Sequence, residues 1–400
     1  MTKLIRNKIS VFLLGLTTVF TACDDYLGDK TDLSFIEVPE QRYREVAYVP
    51  VQPILDGFVN PTDVIAGFDE LIYIVDQGTS EVIAMDESGR ELSRIYIQGA
   101  KAIAQDRGLD LLVIGTFTDT ANNITAERSC IYRLDLSQPN GYGLNFAQFT
   151  DTIIHPYYFK TTALNSDENV VFNRISVLAD NKFYVTRSGP SNNPNQSGGP
   201  DDAVLLFSRT GQFETPIIVR DLSGGSYRDY FKKPFGISTL VKPPQVSVDI
   251  RGDFLFSSID ANGVLKVQYI ERQESIDGTA YVPKTDWSND TSQASSFINE
   301  PFKFDEPVGI EYAASGDNYI FVVDRVKDSL YQFTANGLEG VEPPPASGET
   351  KYIKSSFGGS GIGPTQFNQP TAVAYKDEIV YVADAGNGRV LRFKLTLDID

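Results

Sequence analysis

Few side chains in this sequence are suited to chemistry, and they are unevenly placed. Histidine occurs once, at His155, and cysteine twice, at Cys23 and Cys130. A general base built on imidazole therefore has one candidate. A zinc site that needs several histidine or cysteine ligands has too few donors, and a disulfide scaffold is excluded. Carboxylates are abundant, 53 against 35 lysines and arginines. Three of them recur in one setting: Asp76, Asp324 and Asp384 each close a run of strand-forming residues, as in Leu71-Ile-Tyr-Ile-Val-Asp76 and Tyr319-Ile-Phe-Val-Val-Asp324. A carboxylate so placed has two uses. It can accept backbone N–H groups at a turn, or it can join other oxygens around Ca²⁺ or Mg²⁺. Recurrence favours the turn. The metal option falls on Asp260, Glu306 and Asp324, so no obligatory cofactor is expected and Ca²⁺ or Mg²⁺ stays open. The formal net charge of -18 leaves no basis for a nucleic-acid partner.

The elements that must position these groups are repeats. Phe58-Val-Asn-Pro61, Phe231-Lys-Lys-Pro234, Phe304-Asp-Glu-Pro307 and Phe367-Asn-Gln-Pro370 each introduce two or three short apolar runs separated by Gly, Asn and Asp. Looser copies run from Ala100 through Leu111–Gly115 to Cys130–Leu134, and from Phe172 through Lys182–Thr186 to Ala203–Phe207. A further run follows in several copies, at 92–97, 217–220 and 351–354. No helical period of useful length appears. Six copies of four short strands imply an all-β, six-bladed β-propeller. The pattern Pro-x-x-Val/Ile, then Tyr-Val-Ala-Asp, then Asn-x-Arg-Val resembles the NHL repeat, most closely in the last copy (Pro370, Tyr381–Asp384, Asn387–Val390). The looser copies lack the proline and the aspartate. The last copy ends after three strands, which would leave an open edge. The extended run Tyr43–Val51 is expected to complete that blade by pairing with Val390–Leu397, so residues 43–400 form a single domain.

The first residues read as an address. Lys3, Arg6 and Lys8 precede an apolar run from Ile9 to Phe20, too short to span a bilayer, which ends in Thr21-Ala22-Cys23. Small residues before a cysteine resemble the lipobox of bacterial lipoproteins, with Phe20 a departure from the usual aliphatic residue. The resemblance implies that residues 1–22 are a signal peptide and Cys23 the lipidated first residue of the mature chain. Asp24 and Asp25 resemble the acidic stretch that marks outer-membrane retention or surface export in Bacteroidetes-type bacteria. Residues 23–42 then read as a flexible tether. An outer-membrane lipoprotein, facing the periplasm or the cell surface, is the expectation.

On a propeller, the loops between second and third strands and those after outer strands share one face. Lys101, Arg174, Arg187 and Lys233 fall on that face in blades 2 to 4, as a basic half-ring able to hold a carboxylate, sulfate or phosphate. Asp63, Asp76, Asp260, Glu306, Asp324 and Asp384 lie across from it. The segments 118–129 and 188–202 are expected as long loops forming a lip beside the half-ring. Three functions stay open: a non-enzymatic binding or assembly subunit with an outer-membrane protein complex or a glycan as partner, a metal-dependent gluconolactonase-like hydrolase, and a ligand-sensing module. The resemblance to amidating lyases fails because their zinc needs several histidines.

Overall fold

The computed structural model describes residues 45–121, 124–159, 167–190, 202–220, 225–227, 230–243, 252–276, 278–314, 318–345 and 347–399. Cys23, the signal peptide, the tether and most of the 188–202 segment lie outside the described residues. No helix among the described residues is long and apolar enough to cross a membrane.

Six antiparallel sheets form the six blades of a β-propeller. In chain order their innermost strands are Pro61–Ala66, Ala102–Gln105, Val171–Val177, Pro234–Thr239, Pro307–Tyr312 and Pro370–Lys376. Each blade is sandwiched between two neighbours, so its strands bury both faces. That is why the second strands read as unbroken apolar runs rather than alternating ones: every residue of Ile72–Asp76, Phe254–Ser258 and Ile320–Asp324 is buried. Between blades 2 and 3, for example, Ile114 and Ile131 meet Phe172, Phe183 and Val185. Outer strands face water and turn polar, as in Glu91–Tyr96.

The ring closes between the chain ends. Tyr48–Pro50 pairs antiparallel with the last strand, Tyr48 opposite Leu395 and Pro50 opposite Phe393. Leu55 and Asp56 extend the pairing to Val390 and Arg389. The Tyr48 hydroxyl also donates to Gln332 Oε1 at 2.9 Å, on blade 5, so this outer strand holds two blades at once.

Three expectations are corrected. The segment 118–129 is not a loop, because strands Leu111–Ala121 and Ile124–Asp135 run on through it as an extended ribbon. Its alternating threonines suit a strand pair exposed to water, and Thr120 Oγ1 lies 2.6 Å from Thr125 Oγ1 across the ribbon. The outer strand of blade 3 is Phe213–Pro216, and Val219 instead pairs in parallel with Tyr281 of blade 4. The outer strand of blade 5 is Phe357–Gly358, while Ile353 bridges Val341 in an inserted loop. The apolar run follows the outer strand in blade 3 and precedes it in blade 5, and in both it pairs elsewhere.

Candidate functional site

The recurrent aspartates are turn caps. Asp324, fully buried, accepts from the amides of Glu306 (3.2 Å), Val326 and Lys327 (both 3.0 Å) through Oδ1, and from Asp305 (2.6 Å) through Oδ2. Asp76 accepts from Val59 and Asn60 (both 2.8 Å) and from Gly78 (3.0 Å). Asp384 takes the amide of Asn368 (2.6 Å) and the side chains of Asn387 and Arg389 (both 2.8 Å). Each ties the Phe-x-x-Pro entry of its blade to the turn after the second strand. A carboxylate doing this satisfies otherwise orphaned donors and fixes where the inner strand begins. In blade 4 that place belongs to Ser258, opposite Pro234, whose hydroxyl donates to Lys232 O at 2.5 Å. Asp260 sits two residues further on in the turn and does not take the capping position.

Just after the entry, the register of the inner strand shifts in five blades, at Pro61/Asp63, Phe172/Ile175, Pro234/Ile237, Pro307/Gly309 and Pro370/Ala372. Such irregularities re-aim side chains, and here they lie where the strands line the central channel. Phe235 collects three cations over its ring: Arg174 at 5.2 Å, Lys101 at 5.5 Å and Arg325 at 6.0 Å from the centroid. Arg325 is clamped by Glu306 Oε2, at 2.9 Å from Nε and 2.5 Å from Nη2. Arg174 crosses the channel. Its Nη2 donates to Thr62 O on blade 1 (2.8 Å) and Thr371 O on blade 6 (3.0 Å), and its Nε lies 3.8 Å from Asp63. Lys101 donates to Phe172 O (3.3 Å) and Asn173 Oδ1 (3.0 Å), and among the described residues it has no carboxylate partner. Burial, and then the charges of Arg174 and Arg325, pull its ammonium down to about 7.

Below this guanidinium the side chains of the described residues crowd the channel. A cavity of about 30 Å³ remains, bordered by Asp63, Arg174, Lys242 and Glu311. Lys242 Nζ is 2.6 Å from Glu311 Oε2. Burial raises the carboxyls of Asp63 and Glu311 above their usual range in spite of these cations.

The half-ring expected from sequence is thus partly assembled. Lys101 and Arg174 meet at Phe235. Lys233 lies exposed at the rim, its amide donating to Asp202 Oδ2 at 2.8 Å. Arg187 is 1% exposed and donates to Gly189 O (2.7 Å) and Pro190 O, so it is buried rather than presented on the face. Asp260, Glu306 and Asp324 are not brought together as ligands: one caps a turn, one clamps Arg325, and Asp260 accepts from the amide of Asn262 at 3.4 Å. Among the described residues no cluster of three or more His, Cys, Asp or Glu side chains is arranged to hold a metal. The channel carboxylates do not fit that task either, since cations already neutralise both. Sequence reasoning missed Phe235, Arg325, Lys242 and Glu311. Two had a signal: Phe235 follows the repeat proline, and Arg325 follows the recurrent aspartate.

His155 is a core residue, 3% exposed, its ring 5.3 Å from Tyr158 and 6.0 Å from Phe172. Burial, and then Arg187, draw its imidazole down to about 3. It is neutral and shielded from solvent at neutral pH. Cys130 is buried with no disulfide, its thiol pushed up to about 12 by burial, an unreactive setting.

No family model matches the chain, and no curated protein matches it in sequence. Solved structures do. A luciferin-regenerating enzyme shares 11% identity over 86% of this chain and 95% of its own, with a TM-score of 0.50. A gluconolactonase from Xanthomonas campestris shares 10% identity over 86% of this chain and 88% of its own (TM-score 0.49). A calcium-binding regucalcin from Agrobacterium tumefaciens shares 9% over 86% and 93% (TM-score 0.48). At these identities the likeness concerns the fold. The chain is a six-bladed β-propeller whose structural neighbours include gluconolactonase-like and regucalcin-like proteins.

Proposed function

We propose that this propeller is a non-enzymatic binding or assembly subunit. It is held at the outer membrane by lipid on Cys23 and presents its channel-mouth face to a protein or glycan partner bearing an anionic group. The observation that carries this reading is the closed channel. Arg174 spans the mouth and faces Asp63, Lys242 pairs with Glu311 beneath, and the described residues leave about 30 Å³ where a substrate would have to enter. A water molecule fits such a space and a sugar does not. What the face offers instead is Lys101, a cation without a carboxylate partner among the described residues, beside the Phe235 ring.

The hydrolase reading finds less support. It needs channel carboxylates open to a metal, and Asp63 and Glu311 face Arg174 and Lys242 instead. It also needs a base, and His155 is buried in the core.

The test is purification of the tagged chain from membranes in mild detergent, with partners quantified by mass spectrometry. The expected result is one outer-membrane component in stoichiometric amount, depleted by Lys101→Glu, with Cys23→Ala releasing the chain to the soluble fraction. Recovery of the chain alone from membranes, or a partner indifferent to Lys101→Glu, would sink the proposal.

A further inference from the structure

Two sizeable concavities among the described residues lie away from the channel mouth. Two lobes of about 430 and 460 Å³ sit between blades 3 and 4. They share Lys182, Leu206, Arg272 and Tyr281, which makes them one cleft. It opens on the other face of the ring, beside the turns that join first to second strands: Lys182 ends that turn in blade 3 and Gly252 leads into the second strand of blade 4.

Its chemistry differs from that of the chain as a whole. Four cations border the two lobes, Arg107, Lys182, Arg220 and Arg272, against two acids, Asp180 and Glu214. On a chain of net charge -18 this is a local reversal of sign. Two acids that engage the shared cations from the surface are weak competitors. Glu274, 2.6 Å from Arg272, has its side chain 67% exposed, and Glu214, 2.9 Å from Lys182, is 31% exposed. Ion pairs at the surface contribute little, so an incoming anion can exchange with them.

The floor is built rather than incidental. Tyr184 is fully buried, with its hydroxyl donating to Gly252 O at 2.9 Å and lying 3.1 Å from the Tyr281 hydroxyl. Both rings pack on Phe254, at 4.7 and 6.3 Å between centroids. The floor is therefore rigid, with polar tips held by apolar bodies. Leu178 and Leu206 add apolar wall beside the cations. Lobes of this size hold a metabolite-sized molecule.

We infer that this cleft is a second ligand site, for a small organic anion that sets a carboxylate or phosphate monoester between Lys182 and Arg272 and lays its body over Leu206 and Tyr281. It is independent of the channel-mouth reading, because it shares no residue with it.

Calorimetric titration of the full chain in mild detergent with glucuronate and with glucose 6-phosphate tests the idea, with glucose as the neutral twin. The expected result is saturable binding of at least one anion and none of glucose. Lys182→Gln and Arg272→Gln should each weaken it roughly tenfold, the scale of one charge-assisted hydrogen bond, while Arg94→Gln on the outer strand of blade 1 leaves it unchanged. Because Arg272 also supports local packing, Lys182→Arg is the conservative check and should keep most of the affinity. Failure of both anions to bind, equal binding of glucose, or binding that survives Lys182→Gln but is lost in Lys101→Gln would overturn the assignment.

Discussion

Arg174 is the side chain on which the closed channel depends, and Arg174→Met removes its charge while keeping much of its stem. Three things are lost. The carboxyl of Asp63, 5% exposed, loses the guanidinium 3.8 Å away, and the carbonyls of Thr62 and Thr371 lose donors at 2.8 and 3.0 Å. Removing one partner of a buried pair costs about 3–5 kcal/mol. Each carbonyl left without a donor adds ~1 kcal/mol unless water enters the vacated space and replaces the bond. A net loss of about 4 kcal/mol is expected, which lowers the melting temperature by roughly 5 °C for a unit of roughly 350 residues. Thermal unfolding of the full chain at pH 7, followed by circular dichroism, reads this directly. The double variant Asp63→Asn with Arg174→Met should recover more than half of the loss, since the stranded charge is gone. A single variant melting within about 1 °C of the parent, or a double variant less stable than the single, would refute the view that charge pairing across the channel staples the ring.

Other variants separate structural from incidental carboxylates. Asp324→Ala strands amides from two segments and should cost on the order of 3 kcal/mol, whereas Asp260→Ala should stay within about 0.5 kcal/mol, both read from urea midpoints. His155 gives a pH signature. Its imidazole is held down to about 3 in the fold against an ordinary 6.5, so protons bind the unfolded chain preferentially. Stability from this group is present above about pH 6.5 and drains as pH falls toward 3. His155→Phe should flatten the midpoint-versus-pH curve between pH 7 and 4, whatever its effect at pH 7. Tyr48→Ala removes a buried ring, its bond to Gln332 and its contact with Phe357 at 5.6 Å between centroids. A loss of about 3–5 kcal/mol in guanidinium unfolding is expected.

The propeller was legible in the chain because its blades are packed on both sides. That requirement writes unbroken apolar runs into second strands such as Ile72–Asp76, and places the turn signals at regular intervals. Ring closure by the run 43–51, of which residues 48–50 form the pairing strand, followed from counting strands in the last copy, since an unpaired edge is a liability. The turn-capping aspartates were legible too, because a cap acts on neighbours a few residues away and repeats with the blade. Outer strands in blades 3 and 5 were misplaced, because the apolar run pairs with the neighbouring sheet in blade 3 and within an inserted loop in blade 5.

The site belongs to the tertiary structure. Arg174 finds its acceptors 112 and 197 residues away, at Thr62 and Thr371, and Lys242 after the inner strand of blade 4 meets Glu311 of blade 5. No local period encodes pairings of that separation. The sequence alone decided that a ring of six blades would form and which turns would hold it. Folding decided that the ring's centre would be closed by charge, because only closure brings side chains from separate blades within hydrogen-bonding distance in a space too small to hydrate them separately.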